Sequence, residues 1–155
     1  MDRNQLLALR KQMGLKPPAD PAAPLNVSES VHQMNLFRWA EYAKGGVPEL
    51  RWLHSIPNGG YRTKATAGKM KGEGQKPGVP DIFLDVARGG FHGLRIELKT
   101  PRIEGARGVR RTVQAGTISV DQHEWLCHYA DGGYAAHVAY GWESAKDLIL
   151  EYLKL

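Results

Sequence analysis

The sequence predicts an α/β fold in which helices cover both faces of a mixed β-sheet. Two apolar runs rich in strand-forming residues, 78–84 and 94–100, are typical of neighbouring strands at the centre of such a sheet. Segments with helical periodicity and cap residues lie on either side, giving the order α-β-β-β-α-β-α. A length of 155 residues is typical of one domain with its own hydrophobic core.

The composition narrows the class of protein. A single cysteine, Cys127, leaves no internal disulfide framework, fits a reducing compartment and is expected to be a small buried residue on a helix. No apolar run approaches the ~20 residues needed to span a bilayer, and the N-terminus lacks the apolar core of a signal peptide. We therefore expect a soluble, cytoplasmic protein without a membrane partner.

Residues 1–27 are expected to form an N-terminal arm in front of a domain that spans residues 28–155. The stretch 16–24 is rich in proline, which favours an extended linker. The short helical segment before the linker is either a frayed tail or a docking arm.

The first core helix is predicted to start near Ser28 or Ser30 and to end at residues 44–46. Ser30 and Gln33 have the spacing of a capping box. Glu29 lies in the first turn, where a negative charge favours the helix dipole, so on its own this residue is more typical of a first-turn acid than of a ligand.

A strand over residues 51–56 is predicted to follow, closed by a Pro-Asn-Gly-Gly loop. His54 and Asn58 then lie near the end of the sheet where a substrate is expected. They are candidate substrate contacts, although a half-buried histidine and a loop-capping asparagine are the plainer interpretations.

The two central strands are predicted to form a hairpin that reverses at residues 88–90, where glycines tolerate positive φ. Pro80 suits the start of the first strand, because its missing N–H costs the ladder nothing there. Side chains alternate along a strand, so Glu97 and Lys99 share one face while their apolar neighbours point into the core. The hairpin brings Asp81 near Glu97.

Two carboxylates and an ammonium on one face of a buried sheet are costly unless something compensates them. The usual compensation is a hard divalent cation such as Mg²⁺, which takes one or two carboxylates and keeps waters for a substrate phosphate. Lys99 can then orient a water or help to deprotonate it. From these residues alone, a salt-bridged surface hairpin is the alternative.

Positive charge is concentrated in two glycine-rich segments, 62–76 and 102–111, that flank the central strands. They hold nine basic and two acidic residues, a net +7, whereas the rest of the chain carries −2. This placement favours contact with nucleic-acid phosphates over generic solvated charge. The proposed DNA-binding side chains are Arg62, Lys64, Lys69, Lys71, Lys76, Arg107, Arg110 and Arg111.

The last third of the chain supplies the remaining elements. Ser119 is predicted to cap a helix, with Gln122 completing a capping box, and residues 132–133 end that helix. A strand over residues 134–140 and a closing helix over residues 143–155 follow.

Several motifs occur together and in a fixed order. They are Glu29-x-x-x-Gln33, Ile56-Pro57-Asn58-Gly59-Gly60, a basic loop, Gly78-Val79-Pro80-Asp81, Glu97-Leu98-Lys99, Ile118-Ser119-x-x-Gln122-x-x-Trp125, Gly133-Tyr134 and Trp142-Glu143-Ser144-Ala145. Over residues 28–155 this set resembles the VRR-NUC family, the virus-type replication–repair nucleases of the PD-(D/E)xK superfamily. It is similar to the short stand-alone, phage-type members.

The resemblance implies a restriction-endonuclease-like α-β-β-β-α-β core and metal-dependent phosphodiester hydrolysis. Asp81 and Glu97 match the family's metal ligands, and Lys99 matches its catalytic lysine. Mg²⁺ is the implied cofactor, and Mn²⁺ is expected to substitute for it.

Three further roles follow from the resemblance. Glu29 matches a glutamate of the first helix that supports the metal ligands or binds a second metal, and Gln122 matches a glutamine that supports the site. The backbone carbonyl of Leu98 is a further candidate metal ligand. The arginine-rich segment 101–116 is longer than the compact turn expected before the next helix, and this departure concerns substrate geometry.

The resemblance also implies a partner, namely branched or four-way-junction DNA cut by a homodimer during replication, recombination or repair. In that case the protein acts in the cytoplasm of a bacterium or a phage-infected host. Two other classes of function remain: a non-catalytic DNA- or RNA-binding module, and a structural subunit of a phage or repair assembly.

Overall fold

The structure, a computed structural model, describes residues 27–56, 68–69, 72–103 and 114–155. A mixed four-stranded sheet forms its centre. The strands are β1 (Leu53–Ser55), β2 (Ile82–Leu84), β3 (Leu94–Lys99) and β4 (Ala135–Tyr140). They lie side by side in chain order, with β1, β2 and β3 antiparallel and β4 parallel to β3.

In the described part of the chain, three α-helices flank the sheet. They are α1 (Glu29–Ala43), α2 (Val120–Asp131) and α3 (Trp142–Tyr152). A 3₁₀ helix, Pro48–Trp52, precedes β1 and takes the place of the first two residues of the predicted strand, since a proline at its start presets a helical φ. The predicted fold class and element order are confirmed. None of the described helices is long and apolar enough to cross a membrane.

One face of the sheet forms the hydrophobic core with α1 and α3. Leu94, Ile96 and Leu98 of β3 are almost fully buried there and belong to one cluster with Leu36 and Ile149 of the two helices. Truncating a buried leucine or isoleucine of this kind to alanine typically costs about 2–5 kcal/mol. This face fixes the position of β3.

The other face of β3 is also buried, although it carries charged side chains. Arg95, Glu97 and Lys99 alternate with the apolar residues, and they are only 6%, 0% and 6% exposed. This face is covered by α2. A strand with a charged row on its covered face is unusual, because each charge loses its water. The sheet therefore positions a polar site beneath α2.

The structure tests the predicted helix caps and the predicted burial of Cys127. The capping box of α2 is present, and Gly132 ends the helix as predicted. Helix α1 starts after Ser28 without a side-chain cap bond, so the capping box predicted at Ser30 is wrong. Cys127 is exposed rather than buried, because Leu126 is the one residue of α2 that the packing buries.

Residues 1–26 lie outside the described part of the chain. The division into an arm and a domain at residue 27 therefore stays a prediction.

Candidate active site

Asp81 is fixed by the end of a strand. β2 begins only at Ile82, so the neighbouring N–H of Leu98 in β3 does not face β2 main chain and donates instead to Asp81 Oδ2 at 3.0 Å. Pro80, which is fully buried, precedes it. The bond holds the Asp81 carboxylate beside β3, one residue from Glu97.

Glu97 and Lys99 form a buried ion pair. Lys99 Nζ donates to Glu97 Oε1 at 2.7 Å, and both side chains are nearly inaccessible to solvent. The same ammonium lies 3.4 Å from Glu29 Oε2, which comes from the first turn of α1 and is partly exposed. Lys99 therefore links β3 to a helix seventy residues earlier in the chain.

The cap of α2 orients Gln122 towards the same carboxylate. Gln122 Oε1 accepts a hydrogen bond from the N–H of Ser119 at 2.8 Å, so the capping box uses the acceptor end of this side chain. The donor end, Nε2, is left to donate to Glu97 Oε1. A helix-start signal in the sequence thus also positions a polar group of the site.

The protonation of the buried pair follows from its surroundings. Burial raises the pKa of Glu97 to about 7, and the charges of Asp81 and Glu29 add to the rise while Lys99 opposes it. Burial alone would lower the pKa of Lys99, but the hydrogen bond and charge of Glu97, with Glu29 and Asp81, outweigh it and raise that pKa. At neutral pH the lysine is an ammonium, whereas Glu97 is close to its titration midpoint.

The residues present fit a divalent cation. Glu97 Oε2 is buried and accepts no hydrogen bond from the described residues, which is a costly state for a carboxylate oxygen. Asp81 supplies a second hard oxygen donor nearby. Within the described ranges, no three His, Cys, Asp or Glu side chains form a complete ligand set. Mg²⁺ does not need one, since it keeps several waters and binds through one or two carboxylates.

The structure thus brings together five of the predicted site residues, namely Asp81, Glu97, Lys99, Glu29 and Gln122. Their catalytic and metal-binding roles stay predictions, as does the role of the Leu98 carbonyl.

His54 is placed differently. It lies on β1 opposite Phe83, and its ring nitrogens contact the carbonyl of Trp52 and, at 3.8 Å, Asp85. These contacts connect it to the edge of the sheet rather than to Asp81 or Glu97. Its half-exposed ring is available to a substrate, and that role stays a prediction.

Only two of the predicted DNA-binding side chains lie in the described part of the chain. Lys69 is exposed and 3.8 Å from Glu73, and exposed Lys76 lines an open pocket against α2. The other proposed contacts lie outside the described residues; they are Asn58, Arg62, Lys64, Lys71, Arg107, Arg110 and Arg111.

Sequence reasoning did not single out Arg95, the third charged residue on the covered face of β3. Its guanidinium lies over the rings of Phe83 and Tyr134 at 4.3 and 4.4 Å and is 2.9 Å from Asp85. Because side chains alternate between the two faces of a strand, the sequence itself was enough to place Arg95 on the same face as Glu97. These contacts stabilise the same strand, and the carboxylate among them is Asp85 rather than Asp81 or Glu97.

The chain combines a mixed α/β sheet with a buried carboxylate–lysine centre, as expected of a nuclease domain. It is similar to a solved structure of a "VRR_NUC domain protein", with 31% sequence identity and a TM-score of 0.65. The similarity covers 85% of this chain and 93% of that one. The chain belongs to the VRR-NUC family, as its ordered motifs predicted. No family model matches it, and neither does any curated protein.

Proposed function

We propose that this nuclease domain is a metal-dependent endodeoxyribonuclease that hydrolyses phosphodiester bonds in branched DNA, four-way junctions included. One observation carries the proposal: the buried Glu97–Lys99 pair lies beside Asp81 and leaves one Glu97 oxygen without a donor among the described residues. A structural ion pair would gain from pairing that oxygen as well. An oxygen left for a cation suits metal-assisted hydrolysis.

Asp81 and Glu97 would hold the ion, Mg²⁺ or Mn²⁺ in its place. When bound, the ion supplies positive charge that offsets the charge growing on the phosphate and lowers the pKa of a water. Gln122 and Lys99 both bind Glu97 Oε1, which keeps Oε2 directed away from them. Because its pKa is raised, Lys99 acts as an ammonium that orients the attacking water or the phosphate rather than as a proton acceptor.

The proposed substrate is argued from the charge of the chain, and the proposed homodimer is argued from symmetry. The net +7 of the two basic segments matches a phosphate backbone, and such contacts bind DNA without reading its sequence. One chain holds one active centre, so cutting two strands symmetrically at a junction calls for a two-fold dimer. The proposed active form is therefore a homodimer on branched DNA.

The test is cleavage of matched linear, flap and four-way-junction DNA in Mg²⁺, Mn²⁺ and EDTA. Glu97→Gln and Lys99→Ala should each abolish cleavage and keep DNA binding, and extra Mn²⁺ should rescue part of the first defect only. Lys146→Ala is the matched control, since Lys146 pairs with Asp147 on α3.

Full cleavage by Lys99→Ala in Mg²⁺ would rule out this site. Tight junction binding by the wild type with no cleavage in either metal would instead indicate a non-catalytic binding module. Light scattering of the DNA complex tests the dimer separately.

A further inference from the structure

An open pocket lies between the segment that leads to Asp81 and the side of α2. Its volume is about 400 Å³, within the range of small-molecule sites. Its lining is formed by Lys76, Pro77, Asp121, Glu124, Trp125 and His128.

The aromatic wall of this pocket is held rigidly. Trp125 Nε1 donates to the carbonyl of Pro77 at 3.0 Å, which fixes the indole against the loop. The Tyr129 ring lies beside it at a centroid distance of 5.8 Å, and His128 contacts it edge-on at 5.9 Å. Tyr129 in turn contacts Phe83 of the sheet. A planar ligand entering the pocket therefore meets a preformed aromatic wall and loses little affinity to ordering it.

The pocket is lined by the same loop and helix that carry Asp81 and Gln122 of the active site. Gly78 has a φ of +81°, and a Cβ there would lie 2.6 Å from Asp121, so the loop rests directly on the first turn of α2. The next residue of that turn is Gln122, which binds Glu97. Pro77 precedes Asp81 by four residues, at most about 14 Å of extended chain. At about 3.4 Å per nucleotide along a strand, this span covers about four nucleotides.

The lining selects one kind of ligand chemistry. Asp121 and Glu124 disfavour a phosphate inside the pocket, but their oxygens can accept hydrogen bonds from the ring edge of a base. Trp125 offers a π-face, on which every nucleobase can stack. Lys76 supplies a positive charge for a phosphate alongside.

We infer that this pocket stacks one nucleobase of the DNA, within about four nucleotides of the phosphate that is cut. The inference rests on the proposed nuclease function and adds to it a base-binding subsite. It makes the enzyme sensitive to whether a base is present at one position of the strand. It does not require a particular sequence, because stacking tolerates every base.

The experiment places a single abasic residue at successive positions of the DNA, a series called the abasic walk, and measures binding for each position. The phosphate cut by the wild type in Mg²⁺ is mapped first, and binding is then measured in Ca²⁺ with the abasic residue at each of four positions on either side. If no DNA is cut, the walk is made along a 16-nucleotide single strand. The wild type should lose affinity at one position, by about 5- to 150-fold, and elsewhere remain unchanged.

Two tryptophan variants and one control identify the pocket. Trp125→Ala should bind weakly at every position and lose the position dependence, whereas Trp125→Phe keeps a ring and should retain it. Trp52→Ala is the matched control, because Trp52 is 54% exposed and outside the pocket. Circular dichroism checks that each variant is folded.

If the affinity of an active wild-type enzyme is the same at every position of the abasic residue, the base-stacking role of the pocket is wrong and the nuclease function is unaffected. A position-dependent loss that persists in folded Trp125→Ala would also overturn the base-stacking role. Binding of free deoxynucleotides without any abasic effect would show that the pocket takes a small ligand instead. If no DNA is cut but affinity still falls at one position of the abasic residue, the nuclease function is refuted and the base-binding subsite is not.

Discussion

Glu97→Gln should remove a pH dependence of stability that the metal-free protein owes to one carboxyl group. Burial raises the pKa of Glu97 from 4.5 to about 7 in the folded chain, whereas the unfolded chain keeps the ordinary value. The folded state therefore binds this proton more tightly. Its contribution to stability is complete below pH 4.5, declines as the pH rises and is lost above pH 7.

The magnitude follows from the same two values. A pKa that rises from 4.5 to about 7 corresponds to about 3 kcal/mol of unfolding free energy lost across that pH window. Solvent screening removes little of it, since the side chain is only 1% exposed. For a domain of this size, 3 kcal/mol amounts to a melting-temperature change of about 6–12 °C.

Urea unfolding in EDTA at pH 5, 6, 7 and 8 measures the effect in the wild type and Glu97→Gln. The difference between the two unfolding free energies should change by about 2–3 kcal/mol over this series, slightly less than the whole effect because pH 5 already lies above 4.5. Glu41→Gln, a change at a surface pair with Lys44, should follow the wild type. Mg²⁺ should restore stability at pH 8 in the wild type alone. An equal slope in Glu97→Gln and the wild type would refute a raised Glu97 pKa.

Three further changes test other parts of the molecule. Glu29→Gln should slow cleavage about 10- to 100-fold with little loss of DNA affinity, while Glu41→Gln on the same helix leaves the rate unchanged. Gly78→Ala should destabilise the fold by about 2–5 kcal/mol and slow cleavage, because its Cβ meets Asp121 at 2.6 Å. Gly74→Ala, also at positive φ but with open space around it, should cost only about 1–2 kcal/mol in chemical denaturation. Neutralising three lysines of the first basic segment together should weaken the salt dependence of DNA binding. The slope of the logarithm of the binding constant against the logarithm of salt concentration should become shallower by roughly 0.9 for each DNA phosphate that they bind. An unchanged slope would show that these side chains do not contact DNA. The lysines are Lys64, Lys69 and Lys71.

Local patterns predicted the elements that carry the site. Alternation along β3 placed Glu97 and Lys99 on one face, and the structure joins them at 2.7 Å. The glycine pair of the predicted reversal has positive φ at both positions, with a bridge between Arg88 and Phe91. Each of these features depends on residues a few positions apart, where strand period and turn chemistry decide the outcome.

Features that depend on distant parts of the chain were not predictable from spacing. The approach of Glu29 to Lys99 joins residues seventy positions apart, and only the family resemblance indicated a shared site. The exposure of Cys127 depends on how narrow a stripe of α2 meets the sheet. The pocket beside Trp125 lies where the loop at Gly78 rests on α2. Packing between elements decides all three.

The charge balance of the site connects its stability to its chemistry. Asp81, Glu97 and Glu29 place three carboxyl groups around the ammonium of Lys99. Burial raises the pKa of Glu97 to about 7, and the charges of Asp81 and Glu29 add to the rise, so the metal-free site takes up a proton that also relieves part of its negative charge. A divalent cation would relieve the same excess, so proton and cation compete for one carboxylate. Metal affinity should then rise with pH until Glu97 is fully ionised. Protonated Glu97 stabilises the metal-free fold, but it is also a poor metal ligand. The rate of cleavage is therefore expected to rise near pH 7, where the metal-free protein loses the stability that this proton contributes.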